Sequence, residues 1–364
     1  MAGSTAPGAS IYNVYGPDFS NTVYLYGAFS YILNPTNTPG LSQVSVISNS
    51  WGGQDGNDSV WFNNLQEATS RGISVLASSG DGGNNPSSQE WCGSDTCFPA
   101  SMSYSSFGMT AVGGTTVTLN PDSSSPAYRH ILEQSAWYIS SGDTADGGPA
   151  GSEGGLSLIY PEPSWQLTTS ANAVIQGGGR GVPDLGALAN NTLVTITIAG
   201  YQYRATYALY GGGHFEFDWG TSVAAPLEAG IVDEIDHVLE SQSNPGLGFL
   251  NPQLYALASE QTASLVNNTD SQGYGTGYSC TGPGTPPNCP YASALPTLAL
   301  LDVYQGANYY YAATRGYDLV TGWGSIDAYN YTMYFLSVAS TGVNGRLSGV
   351  EDSLSLSGLA VTSS

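Results

Sequence analysis

Through the first third of the chain, short apolar runs rich in β-formers take turns with segments of helical period. ASIYNVYG (residues 9–16) reads as a strand, PDFSNTVYLYGAFSYIL (17–33) as a helix and VSVISNS (44–50) as a strand. DSVWFNNLQEATSRG (58–72) reads as a helix and ISVLASS (73–79) as another strand. Nearly continuous apolar strands separated by helices predict a parallel sheet covered on both faces. Such sheets gather their chemistry at the carboxyl ends of the strands. From about residue 115 to 215 the chain is loop-rich and heavy in Gly, Ser and Tyr, with short strand candidates such as LVTITIAGY (193–201), and reads as insertions rather than a second domain. Helical spacing returns in LEAGIVDEIDHVLE (227–240). A Pro/Gly/Cys loop region, a turn-rich stretch at 300–327 and a last helix near 327–337 follow. Residues 1–340 form one expected domain, and 341–364 read as a linker or disordered tail.

Composition narrows the setting. Six Lys plus Arg stand against 28 Asp plus Glu, a formal net charge of −22, yet charged residues are only 9% of the 364. The surface is therefore built largely from uncharged polar residues and changes little when its few carboxylates protonate, which suits work in acid. Nucleic acid and anionic membranes are poor partners for so negative a chain, and no apolar run reaches the roughly 20 residues of a membrane span. The four cysteines fall in two local pairs, Cys92 with Cys97 and Cys280 with Cys289, without zinc-site spacing. Two loop disulfides in an oxidising compartment are expected, hence secretion. Sequons at Asn57, Asn190, Asn267 and Asn330 agree with export, whereas MAGSTAPGAS shows no signal peptide.

The candidate chemistry centres on FDWGTSVAAP (217–226), a Gly-Thr-Ser turn opening a helix. Ser222 there is either a helix cap or a nucleophile whose N–H meets a developing oxyanion. Pro226 reads as sitting in the first turn, where N–H groups lack intrahelical partners. None of the three histidines is a convincing base: His237 lies more than about 20 Å along the same helix, and His130 and His214 read as surface residues. The i,i+4 pair Asp236 and Glu240 fails on the same axial distance, and Glu216 and Asp218 have no clear reach. Asp81 ends a strand with glycines behind it, so it is either a turn aspartate or a carboxyl able, when neutral, to donate to an oxyanion.

With these pieces in order, the chain resembles the sedolisins, serine-carboxyl peptidases of the subtilisin fold. The matching motifs run from APGASIYNVYG through VSVISNSWGG, VLASSGDGG, CFPAS, TAVGGTT, SEGGLSLIYPEPSWQ, GRGVPDLGALA and GTSVAAP to LLDV and TRGYDLVTGWGS. The resemblance implies a subtilisin-like α/β fold and hydrolysis of proteins or peptides at acidic pH. It makes Ser222 the nucleophile, Asp81 the oxyanion donor and Trp51 part of the network behind the base. It also implies one calcium ion, held by Asp302 and Asp318 and by the carbonyls of Val303, Thr314 and Gly316, an oxygen-only set suited to a hard cation. Trp219 departs from the small residue usual before the glycine. The family's base, a Glu with an Asp four residues later, belongs to a helix just before the segment matching APGAS, which falls upstream of Met1. Three readings stand open: a fragment of an active peptidase, the large chain of a split enzyme whose Glu and Asp come from a separate N-terminal chain, or a non-catalytic peptide-binding or structural relative.

Overall fold

The computed structural model describes residues 1–16, 22–88, 92, 96–119, 124, 131–140, 148–190, 194–198, 201–205, 207–211, 214–265 and 299–340. Cys280, Cys289, His130, the Asn267 sequon and the 341–364 tail lie outside the described residues.

Four strands make the parallel frame: β1 (Val46–Asn49), β2 (Ser74–Ser78), β3 (Thr110–Leu119) and, after the added strand β4 (Ile131–Ala136), β5 (Leu185–Leu188). Their order is β1-β2-β3-β5, all pairs parallel, with β4 antiparallel to the far half of β3. The eight helices of the described residues are α1 (Ala2–Thr5), α2 (Thr22–Leu33), α3 (Ser59–Ser70), α4 (Ser164–Leu167), α5 (Asn172–Ile175), α6 (Thr221–Ser241), α7 (Asn251–Leu265) and α8 (Ala328–Ser340).

Alternation along the strands explains the layering. Every residue of β2 is buried, but Val75 and Ala77 join one core with Phe29 of α2 and Trp61 and Leu65 of α3. Leu76 between them joins the other core with Ala225, Val232 and Ile235 of α6. A period of two thus feeds helices on both faces, and the expected covered parallel sheet is borne out. Asp58 caps α3, its carboxylate accepting the N–H groups of Val60 and Trp61 at 2.8 and 3.1 Å. α6 lies across all four parallel strands and is itself overlaid by α1. That overlay needs Gly230, where a side chain would overlap Thr5 and Ala2.

One expected strand is absent: residues 10–16 have no regular structure. Ile11, Tyr12 and Tyr15 are exposed there. β-Propensity records fit to a half-buried pleated surface, and without a partner strand the aromatic content of this run has nothing to fit. α1 was not expected from the sequence because four residues are too few to show a helical period.

Candidate active site

The carboxyl ends of β2 and β5 converge on the start of α6. After β2 the chain turns through Ser79 and Gly80, the latter at φ +115°, and delivers Asp81. After β5 the Ala189 carbonyl accepts the Gly220 N–H at 2.8 Å and suspends the Gly-Thr-Ser turn beside it. Asp81 is clasped to that turn: its Oδ1 accepts both the Thr221 N–H and the Thr221 Oγ1 hydroxyl, each at 2.7 Å. Thr221 Oγ1 in turn accepts the Gly80 N–H at 3.2 Å. Oδ2 faces Gly220, where a Cβ would stand 2.5 Å away and where φ is +103°. Only glycine meets both conditions.

Ser222 is the second residue of α6 and is partly exposed. Among the described residues neither its N–H nor its Oγ has a hydrogen-bond partner, so both are available to a ligand at the positive end of the helix. Pro226 sits in the second turn rather than the first. Its missing N–H would have bonded the Ser222 carbonyl, and Ser50 Oγ donates there instead at 2.8 Å. Thr221 and Ser50 were not singled out in the sequence. A hydroxyl in each motif, GTS and SNS, was the available signal.

The other candidates fall apart spatially. His237 is exposed, in keeping with a surface role. Asp236 is buried and accepts the Leu247 N–H at 2.6 Å, and burial raises its carboxyl to about 7. Trp51 packs on Trp61 and Phe98, with ring centroids at 5.2 and 6.2 Å. Trp219 meets Trp137 edge-on at 5.7 Å, which keeps its bulk against the wall of the second core.

The turn-rich C-terminal stretch brings Asp302 and Asp318 to one loop. Gly316 N–H donates to Asp302 Oδ2 at 3.0 Å and Thr314 N–H to Asp318 Oδ2 at 3.1 Å. Asp318 Oδ1 accepts the amides of Val320 and Thr321, both at 2.8 Å, and the Val303 carbonyl accepts Thr321 Oγ1 at 3.2 Å. Asp302 Oδ1 is buried and, among the described residues, accepts nothing. Burial pushes Asp302 up to about 6 and Asp318 to about 7. Asp318 is buried and Asp302 half-buried, and the unfilled Asp302 Oδ1 is the feature that fits a hard divalent cation, whereas Thr314 and Gly316 meet the two carboxylates through N–H groups rather than through the expected carbonyls.

Cys92 and Cys97 form the expected disulfide. With Glu153 they are the one trio of metal-ligating side chains close enough to share an ion among the described residues, but both sulfurs are spent on each other.

The chain matches the family described as the Subtilase family over residues 2–277. It is 31% identical over 304 residues to kumamolisin of Bacillus sp. (strain MN-32), covering 79% of this chain and 48% of that protein. It is 26% identical over 269 residues to tripeptidyl-peptidase SED2 of Arthroderma otae, covering 70% of this chain and 35% of that one. The chain thus spans half or less of the length of these relatives. Its fold is similar to that of Pseudomonas sedolisin, a serine-carboxyl proteinase solved with two molecules of pseudo-iodotyrostatin, at a TM-score of 0.57 and 22% identity over 87% of this chain and 70% of that one.

Proposed function

Since the chain belongs to the subtilase family and is a relative of the sedolisins within it, we propose that it is a serine-carboxyl peptidase that hydrolyses proteins or peptides in acid through an acyl-enzyme on Ser222. The observation that carries this reading is the clasp of Asp81 onto the Thr221 amide and hydroxyl, one residue before the serine.

In the reaction, Ser222 Oγ bonds to the scissile carbonyl carbon and its proton passes to a base. The carbonyl electron pair moves onto oxygen, where the Ser222 N–H and a protonated Asp81 stabilise it. Collapse breaks the C–N bond, the amine leaves with the proton, and water then cleaves the ester to restore Ser222. Acid is required because Asp81 donates only when neutral. Following the resemblance, the base is a Glu steadied by a neighbouring Asp, contributed from N-terminal to the segment matching APGAS or by a separate polypeptide. A cleft of about 530 Å³ supports this, lined by Ser50, Trp51, Pro226, Gly230 and Asp233, and Ser50 in its wall donates to the Ser222 carbonyl at 2.8 Å. The cleft offers room along α6 for such a segment.

The same reading places one calcium ion at Asp302, Asp318 and the carbonyls of Val303, Thr314 and Gly316, as a clamp on the C-terminal loop. Secretion is part of it, supported by the Cys92–Cys97 disulfide. Among the described residues no helix is long and apolar enough to cross a membrane.

The test is hydrolysis of an unfolded protein between pH 3 and 8 by the full protein and by Ser222→Ala. Cleavage confined to acid and lost in the variant is expected. Peptide binding without turnover, unchanged by Ser222→Ala, would establish the non-catalytic reading instead. Cleavage by residues 1–364 alone would put the base inside the chain, with His214 the first candidate.

A further inference from the structure

Glu153 is fully buried and meets the two residues that flank Asp81, Gly80 and Gly82. Three backbone bonds sew that loop to the segment leading to Glu153. Gly151 N–H donates to the Asp81 carbonyl at 2.8 Å, Gly83 N–H to the Gly151 carbonyl at 3.0 Å, and Glu153 N–H to the Gly80 carbonyl at 3.1 Å. The side chain adds a fourth link, Oε2 accepting the Gly82 N–H at 3.2 Å. The same oxygen lies 3.6 Å from the Cys97 sulfur, which carries no hydrogen in the disulfide. Gly80 completes the contact, since a Cβ there would overlap both Glu153 Oε2 and Cys97 Sγ.

Burying a carboxyl costs several kcal/mol unless its interactions offset it. An apolar side chain of the same shape would fill this space at lower cost. What it could not do is accept the amide of the residue that follows Asp81. We propose that Glu153 is a positioning residue for oxyanion stabilisation: by holding the Gly82 N–H, it fixes the Asp81–Gly82 peptide and hence the approach of the Asp81 carboxyl to the site of the oxyanion. This rests on the peptidase reading above. Misplacing a group by about 1 Å can cost about 10²-fold in rate, so the effect belongs to the transition state rather than to substrate binding.

Three substitutions separate reach from charge. Glu153→Gln keeps the acceptor and its reach without an ionisable group, Glu153→Asp keeps the acid one methylene short, and Glu153→Ala removes both. The readouts are kcat and KM for a peptide substrate, affinity for a peptide aldehyde, whose hemiacetal on Ser222 sets an oxygen at the oxyanion position, and affinity for the same peptide ending in a carboxamide. Glu153→Gln is expected within about threefold of wild type throughout. Glu153→Asp and Glu153→Ala are expected to lose about 10- to 100-fold in kcat and aldehyde affinity, with KM and carboxamide affinity within about threefold. Should Glu153→Ala not fold, the Asp and Gln variants decide alone. The proposal is overturned if Glu153→Asp matches wild type, if Glu153→Gln falls as far as Glu153→Asp, or if aldehyde and carboxamide lose equally. Wild type that binds the aldehyde no better than Ser222→Ala does would sink the peptidase reading and this proposal together. Wild type that does bind it, with an indifferent Glu153→Asp, sinks this proposal only.

Discussion

Glu228 lies on α6, 2% exposed, with Oε2 buried and bonded to nothing among the described residues. Burial raises its carboxyl from an ordinary 4.5 to about 8. A raised acid is protonated in the folded state when the unfolded chain has already ionised. Below pH 4.5 both states hold the proton and the group is neutral in the balance. Between 4.5 and about 8 the folded state binds one proton more, so stability falls by about 1.4 kcal/mol per pH unit, and above 8 the loss levels off. The full span corresponds to a loss of about 4–5 kcal/mol, an upper figure because water and side chains relax around a buried ion.

Glu228→Gln removes this ionisation while keeping the shape. Urea denaturation of wild type and variant should give curves that coincide near pH 4 and separate steadily, the variant being more stable by several kcal/mol at pH 8. The neighbouring acids must be watched, since Asp236 acts on the same Tyr331 phenol as Glu228 and would add its own slope to both proteins. A constant offset between the two curves from pH 4 to 8 would refute the reasoning, because it would mean that Glu228 ionises alike in the folded and unfolded chains.

Four further outcomes follow from the geometry. Gly220→Ala forces a Cβ to 2.5 Å from Asp81 Oδ2 at a φ of +103°, so acylation of Ser222 should fall by about 10²-fold or more, read by reaction with an active-serine probe. Asp81→Asn donates at any pH and should retain hydrolysis to higher pH than wild type, read from pH–rate profiles. Arg180→Met strands the fully buried Asp184 carboxylate, which Arg180 meets at 2.5 Å, and should cost about 3–5 kcal/mol in denaturant titration. Chelation should lower Tm more at pH 8 than at pH 4, because without a cation burial has raised Asp302 to about 6 and Asp318 to about 7, and only above those values must both be ionised inside the fold.

The sheet was legible because apolar β-formers recur through its strands, and SVLAS is buried at all five positions. Asp81 and Ser222 were legible as turn residues, and their pairing came from motif order, since nothing local in GDGG or GTS says that the two turns face each other across β3. What escaped was whatever depends on third parties. The run at 9–16 has strand composition but no partner strand. Glu228 and Glu153 were not singled out, because burial is set by packing from α8 in one case and by a disulfide and a glycine loop in the other. Pro226 was misplaced by a turn, and its true compensation, a hydroxyl from Ser50, comes from 172 residues away in the chain.

Those buried acids connect stability to the chemistry. A chain with 28 acidic and six basic residues would ordinarily be expected to repel itself less as it protonates, a diffuse effect screened by salt. Here Glu228 and Asp236 are both raised by burial, so the preference for acid is also local and little screened. Asp81 asks for the same condition on the proposed mechanism, since it donates to an oxyanion only while protonated. Fold and site therefore call for one pH range by separate physical routes. They can be told apart: Glu228→Gln should flatten the stability curve and leave the pH–rate profile alone, whereas Asp81→Asn should move the profile and leave the slope of the stability curve between pH 6 and 8 unchanged.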